Sequence, residues 1–134
     1  MPRQAWLPDD GLWSSDWDRV RGFLAEMGPE FAHEVAIVDS IQASGVSEQL
    51  AYKTSMHDLW IACRPIGPGP TEFIHVQAPN SVPGAQPGHV VIEHRTLSGK
   101  DDQIERAISD AVPLFWRFCA EKFGLVASRP DAAQ

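Results

Sequence analysis

The chain has 134 residues, near the commonest size for one domain and long enough to need neither a disulfide nor a metal to hold its core. Eighteen acids against eleven bases give a net charge of −7, a field that repels phosphate backbones and argues against non-specific nucleic-acid binding. No apolar run approaches the ~20 residues of a membrane helix, and the first residues lack the apolar stretch of a secretory signal.

Residues 1–13 place Trp6, Leu7, Leu12 and Trp13 among Pro and Asp. This reads as an irregular arm whose aromatics pack back onto the domain, since a disordered arm carries few of them. A helix over 15–27 follows. Ser15 with Asp18 forms a variant capping box, and Trp17, Val20, Leu24 and Met27 recur at helical spacing until Gly28-Pro29 stops the pattern. The β-branched Val35, Ile37, Val38 and Ile41 predict a strand over 34–42, then a turn over 43–47. Residues 49–56 alternate like a half-buried strand, although Ser47 to Ala51 also has fair helix chemistry.

His57-Asp58 is expected to form a tight turn, with Asp58 bonding its own turn backbone. Leu59 to Cys63, apolar on both faces, suits a central strand. Residues 65–70, Pro-Ile-Gly-Pro-Gly-Pro, belong to neither helix nor ladder. Strands follow at 72–77 and 89–95, separated by a Pro- and Gly-containing loop over 79–88. Ser98 to Asp101 has capping-box spacing and opens a final helix. Ile104, Ala107, Ile108, Ala111, Phe115, Phe118 and Cys119 form its apolar face, Pro113 kinks it near 109–110, and Gly124 ends it. Residues 127–134 are expected to fray. The sum is a single α+β domain over 1–134: an antiparallel meander of about five strands flanked by an N-terminal and a C-terminal helix. The order is α-β-β-β-β-β-α, with both helices on one face.

The chemistry-bearing residues form no known catalytic or cofactor motif, and the reading leans away from an enzyme. His89 and Glu93 share a strand face but stand about 13 Å apart, too far to chelate one ion. If 72–77 pairs with 89–95, His75 lies near one of them. A His75–His89–Glu93 site then still needs a partner from elsewhere, so no metal is expected. Cys63 and Cys119, separated by 56 positions, read as free, buried, unreactive thiols. That suits a reducing compartment, so the cytoplasm is expected. Gly67 and Gly69 are followed by prolines where a phosphate loop needs N–H donors, and no cofactor is expected.

The charge is lopsided. Residues 1–58 hold ten acids and four bases, while 59–134 hold eight and seven. An acidic face with a spare sheet surface points to a non-catalytic accessory protein that acts by protein–protein binding. It would be of inhibitor (immunity), chaperone or adaptor type, with a basic partner. Trp6 and Trp13, which no regular element explains, are the expected partner contacts. A homodimer through the sheet edge or the Trp-rich arm is compatible with this. The alternative is a small-molecule-binding protein or small enzyme with a pocket between the sheet and the C-terminal helix. Trp60, Phe73, Phe115 and Phe118 would line that pocket, Tyr52, Arg64 or His75 would orient a ligand, and His75 would serve as base.

Overall fold

A computed structural model describes residues 13–79 and 85–134. Helices α1 (Trp17–Glu26) and α2 (Ala32–Ala43) lead into five strands: β1 (Leu50–Ser55), β2 (Asp58–Cys63), β3 (Phe73–Val76), β4 (His89–Arg95) and β5 (Asp102–Ala107). Helix α3 (Ala111–Phe118) follows and continues through a π-turn over Cys119–Phe123. The strands form one antiparallel sheet in sequence order, β1 to β5. The architecture is therefore the expected α+β meander, with helices before and after it.

Strand alternation sorts the side chains onto two faces. Leu50, Tyr52, Leu59, Ile61, Ile74, Val76, Val90 and Ile92 turn inward against Trp17, Val20, Leu24, Ile37, Ile41, Leu114 and Phe115 of the three helices, making the main core. The opposite face carries a smaller cluster of Trp13, Ala51, Ala62 and Phe73, flanked by Trp60 and Ile66. Helix α1 begins with an Asp16 cap, whose side chain accepts from the Arg19 N–H at 3.2 Å.

Two elements differ from the sequence expectation. Residues 34–42 are not a strand but the body of α2. Glu34, Ile37, Val38 and Ile41 fall on one helical stripe and are all buried, so packing on the sheet overrides the β-branched preference. The final helix does not begin at 98. Residues 102–107 pair with β4 in strict register, His94 with Asp102 through His89 with Ala107. Ser98 and Asp101 do not cap a helix but close the β4–β5 hairpin: Thr96 N–H donates to Asp101 Oδ1 at 2.8 Å and Lys100 N–H to Ser98 Oγ at 3.4 Å. Pro113 then falls in the first turn of α3, where its missing N–H leaves no bond unmade, so it produces no kink.

Gly124, at φ 65°, ends the π-turn as expected. The tail beyond it docks rather than frays. Arg129 N–H and Ser128 Oγ both donate to the Ser44 carbonyl, at 3.0 and 2.9 Å, and Ala127 is buried. Gly45 makes room for this contact: it sits at φ 83°, and a Cβ there would run into Ser128 Oγ. Among the described residues no helix is long and apolar enough to cross a membrane.

Candidate functional site

The outer sheet face carries a chain of charges across three strands. The register sets Trp60 opposite His75 and His75 opposite Glu93, so one row of side chains runs over β2, β3 and β4. His75 Nδ1 lies 2.9 Å from Glu93 Oε1, and Nε2 lies 2.6 Å from Asp58 Oδ2. Asp58 Oδ1 accepts the Ala78 N–H at 2.6 Å. Arg95 extends the chain, with Nη1 at 3.3 Å from Glu93 and Nε at 3.4 Å from Asp101. Trp60 stacks on Phe73 at 4.5 Å and meets the His75 ring edge-on at 5.9 Å.

A carboxylate at each ring nitrogen favours the protonated, doubly donating form of His75 over the neutral one. Burial alone would lower the His75 pKa, but the hydrogen bonds and charges of Asp58 and Glu93 outweigh it and raise the value above the ordinary one. The same balance runs the other way at Glu93: burial pushes its pKa up, and His75 and Arg95 pull it below the usual range. These contacts tie β2, β3 and β4 together across the outer face. His89 takes no part in it. That residue is exposed, with Nδ1 3.2 Å from the Pro87 carbonyl. Among the described residues no group of three His, Cys, Asp or Glu side chains could hold a metal ion.

On the helix side of the same sheet end lies Glu34, fully buried, with neither carboxyl oxygen hydrogen-bonded. Burial, reinforced by the nearby charge of Asp58, raises its pKa to about 9. Glu34 is therefore a neutral acid at neutral pH. Neither thiol is activated. Burial raises the pKa of Cys63, with Glu72 adding to it, and burial raises that of Cys119 further.

The structure does not gather the seven expected pocket residues. Phe115 and Phe118 are buried in the main core, and Tyr52 packs there against Trp17 at 5.2 Å. Trp60, Phe73 and His75 lie on the other side of the sheet. Arg64 is exposed and donates through Nε to Ser15 Oγ at 3.1 Å. Of the two expected partner contacts, Trp6 falls outside the described residues. Trp13 is only 8% exposed and lies 6.2 Å from Phe73, with Lys53 over its other side at 5.9 Å. Its ring is committed to the sheet.

The most exposed large apolar side chain among the described residues sits elsewhere. Ser55 pairs with Asp58, so the β1–β2 hairpin turns on two residues, Met56 and His57. Both have positive φ, 49° and 75°. A two-residue turn of this kind needs that conformation and ordinarily uses Asn or Gly for it. Side chains there store strain of about 1–3 kcal/mol each. Asp58, expected inside the turn, instead starts β2 and anchors His75. Met56 is 90% exposed, while His57 packs against Phe23 and Phe31 at 5.8 and 5.9 Å. Phe23 is itself 41% exposed and leads into a groove of about 460 Å³ between α1 and β1, lined by Arg19, Val20, Tyr52 and Thr54. Near this end Glu26 and Glu30 are exposed, while Asp16, Asp18 and Glu48 lie at the other end of α1 and β1.

Met56 and Phe23 were not legible as site residues. The available signal was a two-residue loop between an alternating and a continuous apolar strand, without glycine or asparagine to fill it. The chain matches no protein-family model, no curated protein and no solved structure.

Proposed function

We propose that this is a non-catalytic, cytoplasmic accessory protein that binds another protein through the β1–β2 hairpin tip and the exposed edge of α1. Its partner carries a basic surface and an apolar socket. One observation carries the reading: Met56 is 90% exposed on a turn whose two central residues are both held at positive φ without glycine. A turn selected only for stability would use residues that adopt this conformation without strain. Retaining a flexible, adaptable methionine there suits a contact that inserts into a partner. Exposed Glu26 and Glu30 on the same side suit steering of a basic surface and a salt-sensitive association rate. The charge chain around His75 supports the same reading, because its groups are bonded to one another rather than poised over an opening.

The test is site-specific photocrosslinking in the native host. A crosslinker replaces Met56 in one strain and Val126, also exposed at 68%, in another. One basic protein captured at 56 and not at 126, with capture lost in a Phe23→Asp background, is the expected result. Equal capture at both positions, or capture indifferent to Phe23→Asp, would refute the proposal.

A further inference from the structure

The opposite edge of the sheet carries a second, independent pattern. Among the described residues strand β5 has one neighbour, β4, and five of its six residues are exposed. Ile108 N–H donates to the Gly88 carbonyl at 2.9 Å, which fixes the parity of the ladder. Asp102, Ile104 and Arg106 turn their main-chain groups toward β4, so Gln103, Glu105 and Ala107 turn theirs outward. The Glu105 carbonyl confirms this, since it takes up the Arg106 guanidinium of its own chain at 2.9 Å.

We infer that β5 is a self-complementary edge, through which two copies of this chain pair antiparallel about a two-fold axis at Ile104 to make one ten-stranded sheet. A two-fold axis normal to a sheet keeps each side chain on its own face, so paired residues must have the same parity. Centred on Ile104, the register sets Ile104 against the partner's Ile104 and Asp102 against the partner's Arg106, twice by symmetry. Gln103 and Glu105 exchange main-chain hydrogen bonds with the partner's Glu105 and Gln103. The Ile104 and Asp102–Arg106 pairs are then the non-hydrogen-bonded ones, where side chains approach most closely.

The neighbouring registers fail. Centring on Glu105 sets that carboxylate against its own copy. Centring on Gln103 sets Glu105 against the partner's Asp101 and Arg106 against the partner's Lys100. Charge therefore selects a single register. Asp102 already bonds Lys122 from the helix layer, so in the pair it would lie between two cations. A six-residue edge buries little area, so the dimer is a weak one, with Kd on the order of 100 µM. It leaves the β1–β2 hairpin, on the far edge, free to act as proposed above.

Sedimentation velocity of the full chain over rising concentration tests this, with Arg106→Asp and Asp102→Arg made separately. Each variant sets like charges opposite in its own dimer and should weaken association about tenfold. Mixed, the two are complementary at both sites and should associate as well as wild type. The proposal is overturned by a wild-type chain that stays monomeric at millimolar concentration. A mixture no tighter than its components, with both variants giving the wild-type near-ultraviolet spectrum, also overturns it. Amide exchange of the wild-type chain gives a reading independent of any variant. The Gln103 and Glu105 amides should become protected as concentration rises, and fast exchange at every concentration overturns the pairing.

Discussion

Replacing Glu34 by Gln should stabilise the protein, by an amount that grows with pH. The carboxyl is fully buried without a hydrogen bond, and its pKa stands at about 9 against an ordinary 4.5. An acid whose folded pKa is raised stabilises the fold fully below its unfolded value and loses that contribution as pH rises toward the folded one. Between about pH 5 and 9 the unfolded chain releases this proton and the native chain keeps it, so stability falls by about 1.4 kcal/mol per pH unit. The deficit relative to a group that cannot ionise is about 1 kcal/mol at pH 5, about 3 at pH 7 and about 5 at pH 8. Gln has the same shape and does not titrate, and its buried amide stands as unpartnered as the neutral acid it replaces. Urea unfolding followed by tryptophan fluorescence at those three pH values should show the gain rising in that order. A gain that does not change with pH, or a loss at pH 8, would mean that Glu34 is ionised in the native state and would refute the reasoning.

Other outcomes follow from the same contacts. His75→Gln should lower stability by about 3 kcal/mol, because it removes the cation that Asp58 and Glu93 share and leaves Glu93 only its longer contact to Arg95. The raised His75 pKa confers stability present below about 6.5 and lost as pH rises through the folded value. The lowered Glu93 pKa confers stability present above about 4.5 and lost as pH falls through its folded value. The gap between wild type and variant, measured by urea unfolding, should therefore be widest between pH 4.5 and 6.5. Trp13→Ala should cost about 3 kcal/mol of stability and leave partner affinity unchanged, the reverse of what an interface tryptophan would do. Gly45→Ala should cost about 1–3 kcal/mol through its positive φ and the Ser128 contact, and adding Ser128→Gly should recover part of the melting temperature.

The sheet and α1 were legible because their signals are local. Alternation at 50–56, the continuous apolar run at 59–63 and the helical spacing of Trp17, Val20 and Leu24 each match the period of the element that forms. The two misread elements are those where neighbours decide. Val35 to Ile41 is β-branched yet folds as α2, because one stripe is swallowed by the sheet, and a buried Glu34 in that stripe hid the helical period. Gln103 to Arg106 has helix chemistry, yet pairing with β4 holds it extended. The site is half legible in the sequence: pairing 72–77 with 89–95 sets His75 near His89 or Glu93 without choosing between them, and reading His57-Asp58 as a turn hides Asp58. Placing the turn one residue later than it lies also concealed Met56, since the strain there is a property of φ angles and not of composition.

The hairpin tip is the proposed contact with the partner. Hydrogen exchange of the chain, with and without the partner recovered by crosslinking, measures this. Protection on binding should concentrate in residues 53–58 and 17–26 and vanish in Met56→Asp. Protection confined to residues 111–134, with Met56→Asp binding as wild type, would contradict it.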